Sequence, residues 1–179
     1  QHKTALTFDD NFIRYGYNSQ HDKTVENWYD SYDILIGIQK YFDEKVSQYE
    51  KKAKKTEYVK IHSTEKSGNS IVCTARRATI LKTQLKGIST INIPYYSRYT
   101  KENKTYPMDV SKLDYVKTTS SNITIVCDEI KRLCGQILSS KNTMLASLNS
   151  VYSRFVDLLY KDLEKLDEVV RFVALVDYS

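Results

Sequence analysis

Glycine and proline are scarce in this chain, with five and two residues respectively among 179. Both prolines, Pro94 and Pro107, fall in one central stretch, which leaves the two ends free to form long elements. No run approaches the roughly 20 apolar residues that a membrane span needs. The N-terminus also lacks the basic-then-apolar order of a secretory leader, so an intracellular setting is the expectation. The three cysteines, Cys73, Cys127 and Cys134, are odd in number and lack CxxC spacing, which argues against a disulfide framework or a zinc site and leaves reduced core thiols. His2, His21 and His62 lie far apart, and no Ser/His/acid grouping, paired carboxylates or phosphate-cradling glycine loop occurs. The chain is therefore expected to be non-enzymatic, without cofactor or metal.

Long periodic runs are present. Over residues 24–55 the apolar side chains Val25, Trp28, Tyr32, Leu35/Ile36, Phe42, Val46, Tyr49 and Ala53 return every three or four positions, with Gln39 as a polar interruption. That spacing predicts a helix of about 30 residues, capped by Asp22 or Thr24 and ending on Lys51, Lys52, Lys54 and Lys55, where cations suit the dipole. The period then alternates over residues 58–62 and 70–74 around a turn at 65–69, which predicts a β-hairpin, with Gly68 serving the turn. Residues 76–86 read as a short basic helix closed by Gly87. Residues 88–109 are irregular, with a strand only at 91–93, and further short strands are expected at 113–117 and 122–126. From Asp128 onward helical spacing persists for more than about 40 residues. The fold class these patterns predict is mainly α: two long antiparallel helices with a small β-containing head inserted at their tip. The corresponding segments are an outgoing arm over 1–57, a basic head over 58–127 and a returning helix over 128–179.

The formal charge of +5 is unevenly spread. Residues 58–121 hold eleven Lys/Arg against four acids, a net +7, while the rest of the chain holds sixteen against eighteen. A basic head on near-neutral arms is the footprint of a polyanion contact driven by counterion release. Four tyrosines in the same region, Tyr95, Tyr96, Tyr99 and Tyr106, are expected to pack against their own domain more than to stack on bases.

Several motifs, in order, resemble those of the MutS family of DNA mismatch-repair proteins. Phe12-Ile13-Arg14-Tyr15-Gly16-Tyr17-Asn18-Ser19-Gln20-His21-Asp22 is similar to the family's Ile-x-x-Gly-Tyr-Asn entry into the outgoing lever helix. Tyr58-Val59-Lys60-Ile61 followed by Gly68-Asn69-Ser70-Ile71-Val72-Cys73-Thr74 resembles the clamp hairpin. Lys117-Thr118-Thr119-Ser120-Ser121-Asn122, with Asp128-Glu129-Ile130-Lys131 after it, resembles the clamp segment that leads into the returning lever. Asp128 stands where the family usually has proline, and the 88–109 stretch is longer than expected, which marks a divergent member.

The resemblance implies lever and clamp domains that grip double-stranded DNA by its backbone in a dimeric full-length protein. The mismatch-sensing and ATPase domains would then lie outside this chain, since no Phe-x-Glu wedge and no nucleotide loop occur. The implied phosphate cations are Arg76, Arg77, Lys82 and Lys86, with Lys117, Thr118, Thr119, Ser120 and Ser121 as backbone and hydroxyl donors; the hydroxyl run equally suits a turn before a strand. Asp157, Asp162 and Asp167 read as charges on a solvated face. The rival reading is a helical adaptor whose long helices bind a partner helix and whose head is merely basic.

Overall fold

The computed structural model describes residues 13–50, 57–64, 68–119 and 121–178. The lysine cluster at 51–55, the centre of the hairpin turn at 65–67 and Ser120 lie outside the described residues, as do His2 and Phe12. The elements are α1 (Ser19–Ser47), β1 (Lys60–Thr64), β2 (Gly68–Thr74), α2 (Ala75–Gln84), β3 (Thr90–Ser97), β4 (Glu102–Asp109), β5 (Asp114–Lys117), β6 (Asn122–Val126), α3 (Asp128–Lys161) and α4 (Leu163–Asp177).

The start of α1 is set by the sequence motif that precedes it. Gly16 takes a left-handed φ of 87° and its amide donates to Asp22 Oδ2 at 2.9 Å. The Asn18 side chain caps the helix by accepting from the amides of Gln20 and His21, each at 3.0 Å. The helix therefore begins at Ser19, ahead of the Asp22 or Thr24 expected as caps. His21 is fully buried, and its Nδ1 lies 3.1 Å from Ser147 Oγ of α3.

Burial lowers the His21 pKa from its ordinary value of 6.5, with the Asp22 charge opposing in part. As pH falls below 6.5 the unfolded chain takes up the proton before the folded one does, so stability is intact above that value and declines below it. Urea unfolding at pH 7 and pH 5 is expected to show this decline, and His21→Asn to reduce it. An unchanged pH dependence in the variant would mean another group is responsible.

The expected architecture is corrected here. Helices hold 56% of the described residues and strands 24%, the latter in two antiparallel sheets, which makes a mixed α/β domain in place of a mainly α pair of levers with a head at the tip. The reason is core formation. Val59, Ile71, Ile93, Met108 and Ile125 from the β segments and Leu35, Ile38, Phe42 and Val46 from α1 are all fully buried in one cluster, which Leu81 of α2 and Leu133 of α3 complete. Strand faces this apolar need covering, and only the flanks of α1, α2 and α3 supply the cover, so the sheets lie along the helices. The returning helix is also interrupted, because the Asp162 amide turns back to Leu159 O at 3.1 Å and separates α3 from α4.

The larger sheet has the order β1-β2-β6-β5, and β3 and β4 form a separate two-stranded ribbon. That ribbon occupies the stretch read as mostly irregular. Pro94 pairs with Thr105 and Pro107 with Asn92. Both strands of a ribbon have a free edge, where a missing N–H costs little, so prolines that argue against a central strand are tolerated. The ribbon lies close on α1 at Gly37, where a Cβ would stand 3.0 Å from Tyr95 Cβ and 3.2 Å from the Pro94 carbonyl oxygen.

Candidate nucleic-acid interface

Strand alternation divides the four-stranded sheet into two faces. Ile71, Cys73 and Ile125 are buried on the side covered by the helices, where Ile61, Ile123 and Tyr115 join them. The opposite face carries the rows His62–Ser70, Lys60–Val72–Thr124–Val116 and Thr74–Asn122. Lys60, His62, Val116 and Asn122 are exposed there. An antiparallel sheet of this kind keeps one face on the core and one open to solvent.

The register gathers cations at one end of the sheet. Thr74 ends β2 opposite Asn122, the first residue of β6, so the start of α2 and the β5–β6 turn are neighbours. Arg76, whose side chain is 74% exposed, follows Thr74 by two residues and lies 3.8 Å from Glu50; Lys117 ends β5, and Lys60 opens the edge strand β1 two positions from Arg77's partner Tyr58. Thr74 stands at the N-cap of α2 without a side-chain cap bond. Among residues 57–60, 74–76 and 116–124, Glu57 is the one described acid.

The expected site residues meet different fates. Arg76, Lys117 and Ser121 are exposed toward the end of the sheet where Thr74 pairs with Asn122, with Arg76 lying 3.8 Å from Glu50 and Lys117 paired with Ile123 on the row of the helix-covered face. Arg77 is turned inward: its guanidinium sits 4.9 Å over the Tyr58 ring, donates to the Tyr58 carbonyl at 2.9 Å and lies 4.0 Å from Glu50. Lys82 reaches across to the Tyr115 ring at 4.8 Å, on the side of the sheet away from the open face. Lys86 is exposed just past the end of α2. Thr118 and Thr119 are engaged in the turn. Their amides both donate to the Asn122 carbonyl, the Thr118 hydroxyl bonds that of Thr124, and the Thr119 hydroxyl accepts from the Asn122 amide at 3.1 Å. Of the two readings of this hydroxyl run, the turn is the one its hydrogen bonds display.

Sequence reading passed over Lys60, Ser70 and Thr124, which the open face presents. The signal was available in the strand parity, since residues out of phase with Ile61, Ile71 and Ile125 must point away from the core. The head's charge is also partly internal. Arg98 donates through Nε to buried Asp33 at 2.6 Å and lies over the rings of Tyr29 and Tyr32. Three of the four tyrosines in this region pack within the domain: Tyr95 on the core, Tyr99 edge-on to Tyr15, and Tyr106 accepting from Arg132 at 2.7 Å. Tyr96 is 53% exposed.

Burial pushes the thiols of Cys73 and Cys134 up to about 11 and raises that of Cys127, so the cysteines stay protonated and unreactive near neutral pH. Among the described residues no group of three or more His, Cys, Asp or Glu is placed to hold a metal ion, and no helix is long and apolar enough to cross a membrane. No protein-family model matches the chain, and no curated protein matches it.

Proposed function

We propose that this chain binds duplex DNA by its phosphate backbone, without reading sequence, through the open face of the four-stranded sheet and the rim that ends it. The observation that carries the reading is the pairing of Thr74 with Asn122, which puts the start of α2, with Arg76, and the β5–β6 turn, with Lys117 before it, at the same end of a sheet whose open face carries Lys60. Lysine and arginine at the border of a flat polar sheet suit phosphate oxygens, which fix position and orientation and carry no base information. Lys86 adds an exposed cation just past the end of α2. The motif order that resembles MutS proteins supports a place in the clamp region of a divergent mismatch-repair protein, acting wherever the cell keeps that DNA.

The test is binding to several unrelated duplexes of equal length, followed by fluorescence anisotropy. The affinities are expected to agree within about threefold and to fall in the 10⁻⁴–10⁻⁶ M range of non-specific binding. A preference of 10³-fold or more for one sequence would instead indicate base readout and overturn the proposal.

A further inference from the structure

The far part of the molecule is built differently from the head. Met144 and Leu148 are the last described residues of α3 to be buried. Beyond them Phe155, Leu159, Leu163, Leu166, Val170 and Val173 remain 44–64% exposed, at spacings of four, four, three, four and three. Phe155 and Leu159 repeat on one side of α3 and Leu163, Leu166, Val170 and Val173 on one side of α4, so the two helices carry a seam that runs up to the break at Asp162 and on beyond it. Leu158, Val169, Phe172 and Val176, 48–67% exposed, widen this apolar surface, while the charged groups pair among themselves, Lys165 with Asp162 at 2.8 Å and Arg171 with Asp167 at 2.9 Å. Those ion pairs leave the apolar seam as the feature in need of a partner.

We infer that this seam, along the end of α3 and all of α4, pairs antiparallel with the same seam of a second copy of the chain. Three arguments select a second copy. The first is area. A helix about 11 Å across, followed for about 27 residues, offers roughly 700 Å² on half its circumference. That exceeds the roughly 300–600 Å² patch typical of a monomer and approaches the 800 Å² or so that each partner contributes to a standard interface.

The second argument is self-complementarity. Reversing the segment about the point between positions 164 and 165 sets Leu163 against Leu166, Leu159 against Val170 and Phe155 against Ala174, with Val173 facing the half-buried Val156 beside the seam. Each layer then places apolar on apolar, as a two-fold interface requires. The third is charge. Antiparallel pairing carries the two basic heads to opposite ends and sets Lys161 against Glu168, whereas parallel pairing would set two +7 segments side by side.

Sedimentation equilibrium of the full chain tests this directly. A mass near twice 20.8 kDa is expected at micromolar concentration, falling to the monomer mass in Leu159→Glu/Val170→Glu with an unchanged circular dichroism spectrum. A monomer at every concentration, a dimer that survives the double substitution, or open-ended polymers would each overturn the inference. Orientation is read by disulfide trapping. Mixed Leu159→Cys and Val170→Cys chains should form the mixed disulfide efficiently, while Leu159→Cys alone should form little. Efficient trapping of Leu159→Cys with itself would sink the antiparallel arrangement.

Discussion

Replacing Asp43 with alanine should lower the unfolding free energy by about 3 kcal/mol, since it strips two backbone amides of their acceptor at once. Asp43 Oδ1 accepts from the amides of Tyr58 and Val59, the latter at 2.8 Å. One helical turn earlier, buried Gln39 donates through Nε2 to the Val59 carbonyl at 2.6 Å. The two α1 side chains thus hold both polar groups of Val59, a fully buried residue, and fix where β1 begins against the helix. Asp43→Asn keeps an oxygen acceptor and should lose only about 1 kcal/mol, the difference between a charged and a neutral acceptor. Urea denaturation with an unchanged m-value is the appropriate readout. A loss under about 1 kcal/mol for the alanine variant would mean that apolar packing alone sets the entry to β1.

The second large effect concerns DNA. Substituting Lys60, Arg76 and Lys117 together by alanine should weaken binding to any duplex by two to three orders of magnitude at about 0.1 M salt, because each lost phosphate contact forfeits about 0.9 log unit per tenfold dilution of salt below 1 M. All three side chains are exposed, and Glu50, 3.8 Å from Arg76, keeps Arg77 at 4.0 Å, so the fold should be little affected. Substituting Lys161 and Lys165, on α3 and α4, should leave affinity nearly unchanged. Arg77→Ala is a useful contrast. Its guanidinium is bound to Tyr58, so the expected loss is in stability more than in DNA affinity. Equal losses from the rim set and the α3/α4 set would show that charge alone, without placement, governs binding.

What the sequence disclosed was local, and what it concealed was three-dimensional. The hairpin of β1 and β2, the short helix α2 and the strands β5 and β6 follow from alternation, turn residues and Gly87, and they stand within a few residues of where those patterns put them. The architecture did not follow, because periodicity shows that Ile71 and Ile125 have a buried side but not what buries them. Gln39 is the instructive case. Along the chain it is a polar break in an apolar stripe, while in the fold it is the donor that anchors Val59. The β3–β4 ribbon was hidden by two prolines that only a two-stranded sheet makes harmless. Within the site, Arg76 and Arg77 are adjacent in sequence and equivalent in charge. Their separation into an exposed cation and a half-buried stacking partner depends on Tyr58, which reaches Arg77 only through the fold.

The most direct test of the central claim is the salt dependence of duplex binding, measured for the native chain and the Lys60/Arg76/Lys117 triple-alanine variant side by side. The account predicts a plot of log K against log salt with a slope of about −2.7 or steeper for the native chain, and a slope shallower by about 0.9 for each contact removed in the variant. A slope near zero, or one identical in the two proteins, would contradict the assignment of this face and rim to the DNA backbone.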